Sequence, residues 1–242
     1  VTPLVMVHGF LGGGAQWDGQ REALSDTWDV ITLDLPGFGE NSHLPAISTI
    51  EGFADWVITD LHDKGVDQFN LLGHSMGGMI VQEVARRIPK QVEKLVLYAT
   101  GAFGVLPGRF ETITESRTRA TRDGARVTAR RITASWFLQG ESALTYESCA
   151  AVAEQASLDA ILSGLDAMQS WSGGAALSEI QQSTLIIWGD CDRTYPWSQT
   201  EMLWKTIPQT HLAVLPACAH AAHLENPTAF NILLRDYLRL DL

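Results

Sequence analysis

The stretch Phe69-Asn70-Leu71-Leu72-Gly73-His74-Ser75-Met76-Gly77-Gly78 decides how the rest of this chain is read. Phe69, Leu71 and Leu72 form a short apolar run that stops at Gly73. Ile80, Val81, Val84, Ala85 and Ile88 then recur at helical spacing. The pattern is strand, sharp turn, helix, with Ser75 at the apex. Glycines stand two residues either side of Ser75, where a side chain would collide with the neighbouring strand and helix of so tight a turn. A serine placed there presents its hydroxyl to open space at a helix N-terminus, whose free N–H groups and dipole favour an oxyanion.

The remainder of the 242-residue chain is long enough for one large α/β domain, and its 45% hydrophobic and 19% charged residues are those of a globular protein. A formal charge of −11 disfavours nucleic acid and anionic membrane as partners. No apolar run approaches the roughly 18 residues of a membrane span. The three cysteines, Cys149, Cys191 and Cys218, are too few and too irregularly spaced for a disulfide framework or a zinc site, which points to a reducing cytoplasm.

Outward from the central stretch, strands and helices alternate. Leu4–Val7 reads as a strand ending in His8-Gly9-Phe10-Leu11-Gly12-Gly13-Gly14, followed by a helix near Trp17–Leu24. Val30–Leu33 reads as a second strand, stopped by Asp34-Leu35-Pro36-Gly37-Phe38-Gly39. A glycine-rich loop after one strand and an acid after the next imitate a dinucleotide site. No G-x-G-x-x-G can be read there, so no nicotinamide or flavin cofactor is expected. Ser48-Thr49-Ile50-Glu51 reads as a capping box with Ser48 as the cap. The helix behind it has Ile50, Phe53, Ala54, Val57, Ile58 and Leu61 on one face and Gly65 at its end. Further strands fall at Leu95–Tyr98, Leu185–Trp188 and Leu212–Leu215. Asn226-Pro227 opens a terminal helix.

A serine hydroxyl is a poor nucleophile until a histidine, itself held in one tautomer by a carboxylate, removes its proton. In a parallel sheet these partners should lie just past later strands, at the carboxyl ends. Asp190 and Asp192 follow the strand ending at Trp188, and His220 follows the strand ending at Leu215, giving the order Ser, Asp, His. Over its full length, from His8-Gly9-Phe10 through Asp34–Gly39, Gly73–Gly78 and Trp188–Asp192 to Cys218–Pro227, the chain resembles α/β-hydrolases of the esterase and enol-lactonase type. That resemblance implies a mostly parallel, doubly wound sheet with an inserted helical lid. It selects Asp192, third after Gly189, over Asp190, and it implies that the N–H groups of Phe10 and Met76 form the oxyanion hole. Ala219 departs from the glycine common before the histidine in relatives, and a leading strand pair found in many of them is not read here.

Residues 1–101 and 179–242 are assigned to the hydrolase core and 102–178 to the lid, within which breaks are read at Gly108, Gly124, Gly140, Gly164 and Gly173-Gly174. Between Arg109 and Arg131 seven arginines face Glu111, Glu115 and Asp123, a local balance of +4 that leaves −15 on the rest. Two readings follow: a solvated face attracted to an acidic body, or an arginine turned inward to hold a substrate carboxylate. Trp136, Phe137 and Trp197 suit an apolar pocket wall and equally suit packing. His220 and His223 share the spacing of a metal pair, but no carboxylate-rich partner accompanies them and no metal is expected. His8 and His74 are read as loop-orienting residues. The expected activity is cleavage of a carboxylic ester or lactone through an acyl-enzyme. The alternatives are hydrolysis of a carbon–carbon bond in a ring-cleavage product, and a non-enzymatic ligand receptor on the same scaffold.

Overall fold

Strand residues in the computed structural model, which describes residues 1–106 and 111–240, alternate between two apolar layers. Val5 and Val7 of β1 (Leu4–Val7), Leu71 of β3 (Phe69–His74) and Leu95 and Leu97 of β4 (Val92–Tyr98) face one layer. Leu4, Met6, Leu72, Val96 and Tyr98 face the other. Burial on both faces explains why these strands read as continuous apolar runs. With β2 (Val30–Leu33), β5 (Ser183–Gly189) and β6 (Thr210–Leu215) they form a six-stranded sheet of order β2-β1-β3-β4-β5-β6, and every pairing is parallel. This is the doubly wound α/β fold expected. Helices α1 (Asp18–Leu24) and α10 (Pro227–Arg239) pack against one face, while α2 (Ile50–Asp63), α3 (Met76–Arg87) and α8 (Trp197–Thr206) cover the other. The four-residue α9 (Ala222–Glu225) leads into α10, whose Asn226 side chain accepts from the Ala229 N–H with Pro227 at the first helical position.

The strand order reverses between β1 and β3. Loops leaving the carboxyl ends of these neighbours diverge, and the crevice between them is where open α/β sheets build sites. The loop His8–Phe10 and Ser75 lie on its two sides. Between β4 and β5 the chain leaves the sheet for α4 (Ile113–Asp123), α5 (Ala125–Ala134), α6 (Tyr146–Ala153) and α7 (Leu158–Ser170), with one isolated bridge, Phe103 to Ser172. Apolar side chains of these helices, including Ala129, Ile161 and Leu165, join the core layer that also holds Phe10 and Met79.

Two local readings are corrected. The cap of α2 is Thr49, whose hydroxyl accepts the Gly52 N–H at 3.0 Å; Ser48 lies one residue outside, because the chain turns helical at Ile50. A capping box does occur at α4, where Thr112 accepts from Glu115 N–H and Glu115 accepts in return from Thr112 N–H. Gly164 is no break but sits inside α7, where a Cβ would lie 2.8 Å from the Phe10 ring: its role is close approach of helix to loop. Gly108 lies outside the described residues.

Candidate active site

Ser75 adopts φ 56° and ψ −120°, a left-handed conformation that a non-glycine residue holds only when its surroundings impose it. The imposition comes from both sides. Ser75 N–H donates to the Tyr98 carbonyl at 3.0 Å, and the Thr100 hydroxyl donates to the Ser75 carbonyl at 2.7 Å. A Cβ on Gly77 would lie 2.5 Å from the carbonyl oxygens of both Val7 and His8, so only glycine lets α3 start so close to β1. Met76 is the first residue of α3. Neither its N–H nor that of Phe10 donates to another described residue, as the proposed oxyanion donors require.

The structure brings His220 to Asp192 and not to Asp190. His220 Nδ1 lies 2.9 Å from Asp192 Oδ2, and the Asp192 side chain is completely buried. Its second oxygen, Oδ1, accepts the N–H of Thr194 at 2.7 Å and of Tyr195 at 3.3 Å, so the carboxylate is fixed in orientation. Asp190 is exposed and, among the described residues, its side chain accepts only from the Cys191 thiol, at 3.3 Å. Cys191 and Cys218 are neighbours, with Cys191 N–H donating to the Cys218 carbonyl at 2.9 Å, and both are free thiols.

Ser75, His220 and Phe10 line one small cavity, closed over by residues between β4 and β5: Glu111, Ser116, Ile132, Ser135, Trp136 and Met168. It offers about 20 Å³, room for a single water. Trp136 was anticipated as a wall residue. Phe137 is buried in the core instead, and Trp197, 38% exposed, packs on Trp188 outside the site. Sequence reasoning missed the polar part of the wall, Glu111, Ser116, Ser135 and Thr194. No motif marks these residues, because they converge from separate helices and a loop.

Arg109 lies outside the described residues, and every other arginine between β4 and β5 meets a carboxylate. Arg117 pairs with Asp166, Arg122 with Asp123, Arg126 and Arg130 with Glu154, and Arg130 also with Glu147. Arg119 and Arg131 both reach Glu111, at 2.9 and 2.7 Å. Burial opposes ionisation of Glu111, but hydrogen bonds from Ser116, Arg131 and Arg119 outweigh it and hold its carboxyl below the usual range. Glu111 therefore stands, charged, between the cavity and two of the arginines.

Behind His220 lies a cluster of buried rings, His74, Tyr98, Trp17 and His223. His74 Nε2 and the Tyr98 hydroxyl both donate to the His220 carbonyl, each at 3.0 Å. Burial, followed by the neighbouring charges of His220 and His223, holds His74 well below the ordinary histidine value; burial and then His220 push His223 down to about 3. Burial likewise raises the Tyr98 phenol. The cluster thus stays neutral and acts as scaffold. His8, also lowered by burial, donates from Nδ1 to the Gly9 carbonyl and accepts the Leu35 N–H on Nε2 at 2.9 Å, tying two loops together. Asp34, the acid that imitated a ribose ligand, accepts the N–H groups of Gly14 and Glu40 and fastens the glycine-rich loop. Among the described residues no group of histidines, cysteines and acids is arranged to hold a metal ion, and no helix is long and apolar enough to cross a membrane.

The α/β-hydrolase fold model matches residues 2–227. A protein of Pseudomonas savastanoi pv. phaseolicola named as a candidate carbamate hydrolase, RutD, is 27% identical over 243 aligned residues, which span 98% of this chain and 94% of the relative. A thermophilic esterase from Thermogutta terrifontis, solved with malate bound, is 27% identical with a TM-score of 0.88, covering 99% of this chain and 90% of the other. The enol-lactonase of Burkholderia xenovorans LB400 shares the fold at 21% identity, with a TM-score of 0.89 over 99% of this chain and 92% of its own. On the match of the family model to nearly its whole length, this chain belongs to the α/β-hydrolase fold family.

Proposed function

We propose that this protein is a serine hydrolase that cleaves a small carboxylic ester or lactone through an acyl-enzyme. The observation that carries the reading is the 2.9 Å contact between His220 Nδ1 and Asp192 Oδ2, beside a cavity that Ser75 shares. In this mechanism Asp192 holds the proton of His220 on Nδ1, which leaves Nε2 free to take the Ser75 proton. The Ser75 oxygen attacks the acyl carbonyl, and the negative charge that develops on the carbonyl oxygen is met by the N–H groups of Phe10 and Met76. The imidazolium then protonates the leaving alkoxide. Water, activated by the same histidine, cleaves the acyl-enzyme and restores Ser75.

The cavity has room for one water and must open to admit any acyl group, and the hydroxyls of Ser116, Ser135 and Thr194 on its wall favour a short acyl group over a long apolar chain. The relatives named as carbamate hydrolases support a second substrate class, a carbamate, whose carbonyl would be attacked in the same way with an oxygen leaving group and a carbamoyl-enzyme in place of the acyl-enzyme. Hydrolysis of p-nitrophenyl esters graded in acyl length, alongside matched aryl carbamates, tests both. Wild-type turnover highest for acetate or butyrate and abolished in Ser75→Ala supports the ester reading; higher kcat/KM for the carbamate of each pair replaces it with the second. Turnover of neither would favour a ligand receptor.

A further inference from the structure

The short loop that carries His220, between β6 and α9, has its backbone polar groups engaged from four directions. The Cys218 carbonyl accepts from Cys191, and the His220 carbonyl accepts from His74 and Tyr98. Ala221 N–H donates to the Trp136 carbonyl at 3.0 Å. Ala219 N–H donates at 2.5 Å to Glu225 Oε2, and the other oxygen of the same carboxylate, Oε1, accepts the Leu138 N–H at 2.7 Å. Trp136 and Leu138 belong to the turn after α5, and the Trp136 side chain lines the catalytic cavity. Ala217, in the same loop as His220, has φ 53°, a left-handed conformation that a residue with a Cβ keeps only when its neighbours hold it.

We propose that Glu225 is a positioning residue that couples the 136–138 turn to His220, so that the imidazole is aligned only while that turn is seated over the cavity. The inference rests on the hydrolase reading for its kinetic consequence but not for its geometry. One carboxylate bridging two backbone N–H groups, one beside the base and one in the cavity's cover, makes the two move as a unit. Both bonds are charge-assisted, and Ala219 is buried, so loss of the carboxylate leaves its N–H without a partner. A glutamine accepts only one of the two N–H groups and turns its own amide hydrogens toward the other. An aspartate keeps the charge but is one methylene too short to span both.

Glu225→Gln, Glu225→Asp and Glu225→Ala are compared with wild type by hydrogen–deuterium exchange and by steady-state kinetics on a short p-nitrophenyl ester. In all three variants exchange is expected to rise together in peptides covering 136–139 and 217–221, with β3 and α3 unchanged as the control for folding. The kcat is expected to fall about tenfold to hundredfold, the range for losing a hydrogen bond to a charged group, with KM within about threefold. Wild-type kcat in Glu225→Asp would overturn the bridge in favour of a simple charge effect on the imidazole. A rise in exchange confined to one segment, or a kcat within twofold of wild type in Glu225→Ala, would overturn the coupling. Coupled exchange in a protein whose wild type cleaves no ester would keep the clamp and overturn the hydrolase reading instead.

Discussion

Replacing Asp192 by asparagine probes the site with almost no change in shape. Asp192 Oδ1 accepts two backbone N–H groups, from Thr194 and Tyr195, while Oδ2 meets His220 Nδ1 at 2.9 Å. An asparagine must keep its carbonyl oxygen on the two N–H donors, so its amide NH₂ faces His220. Nδ1 is then forced to accept, and the imidazole proton moves to Nε2, the nitrogen that should receive the proton of Ser75. Flipping the amide to restore the productive tautomer opposes donors to donors, at about 1–3 kcal/mol, roughly one to two powers of ten. The imidazolium formed during attack also loses its counter-charge, which at an effective dielectric near 20 amounts to about 4 kcal/mol at ~4 Å, close to a further 10³-fold. Together these predict a fall in kcat/KM on the order of 10⁴-fold, the scale known for this change in other Ser-His-Asp triads. The assay is ester hydrolysis by folded variant and wild type, with Asp190→Asn as the control expected within threefold of wild type. A loss below tenfold in Asp192→Asn would refute the assignment of the acid.

The depressed histidines make stability depend on pH. His8, His74 and His223 are held neutral in the folded state, His223 with a value of about 3, so below about pH 6.5 the unfolded chain binds protons that the native state refuses. Each such group then removes up to about 1.4 kcal/mol of stability per pH unit as pH falls, and nothing above neutrality. Denaturant midpoints measured from pH 8 to 4 should be flat and then drop, and His223→Gln should reduce the acid slope; an unchanged slope would exclude His223 as a contributor. At the start of α2, Thr49→Ala should cost about 1 kcal/mol and lower Tm by about 2–4 °C, while Ser48→Ala should change little; the reverse would restore Ser48 as the cap. With the described arginines between β4 and β5 paired and Glu111 on the cavity wall, the neutral member of matched ester pairs should be hydrolysed at least as fast as the carboxylate-bearing member. A tenfold preference for the anion at high salt would show an arginine facing substrate.

What could be read from one sequence was what is local in the chain. The elbow at Ser75 follows from a strand, two glycines and a helix within ten residues, and Asp192 and His220 become candidates from their places just past β5 and β6. The choice of Asp192 over Asp190 rests on the family resemblance, and it is Asp192 whose Oδ2 lies 2.9 Å from His220 Nδ1. What could not be read was pairing between distant segments. The seven-arginine stretch looks like a charged surface until Asp166, Glu147 and Glu154 are seen to return from α6 and α7 to meet it. Gly164 looks like a helix break because its reason, the Phe10 ring, is far away in sequence. Glu225 sits in a motif without indicating that its oxygens reach both Ala219 and Leu138. Ser48 and Thr49 are equivalent as hydroxyls, and only the backbone conformation decides between them.

The central claim, that Ser75 is a nucleophile activated by His220, is tested most directly by covalent labelling with a fluorophosphonate, read by intact mass and peptide mapping. The wild type should gain one phosphonyl group, on Ser75 alone. Ser75→Ala should gain none, and His220→Ala should be labelled slower by several orders of magnitude. A folded wild type that stays unlabelled, or an adduct on any other residue, would contradict the claim.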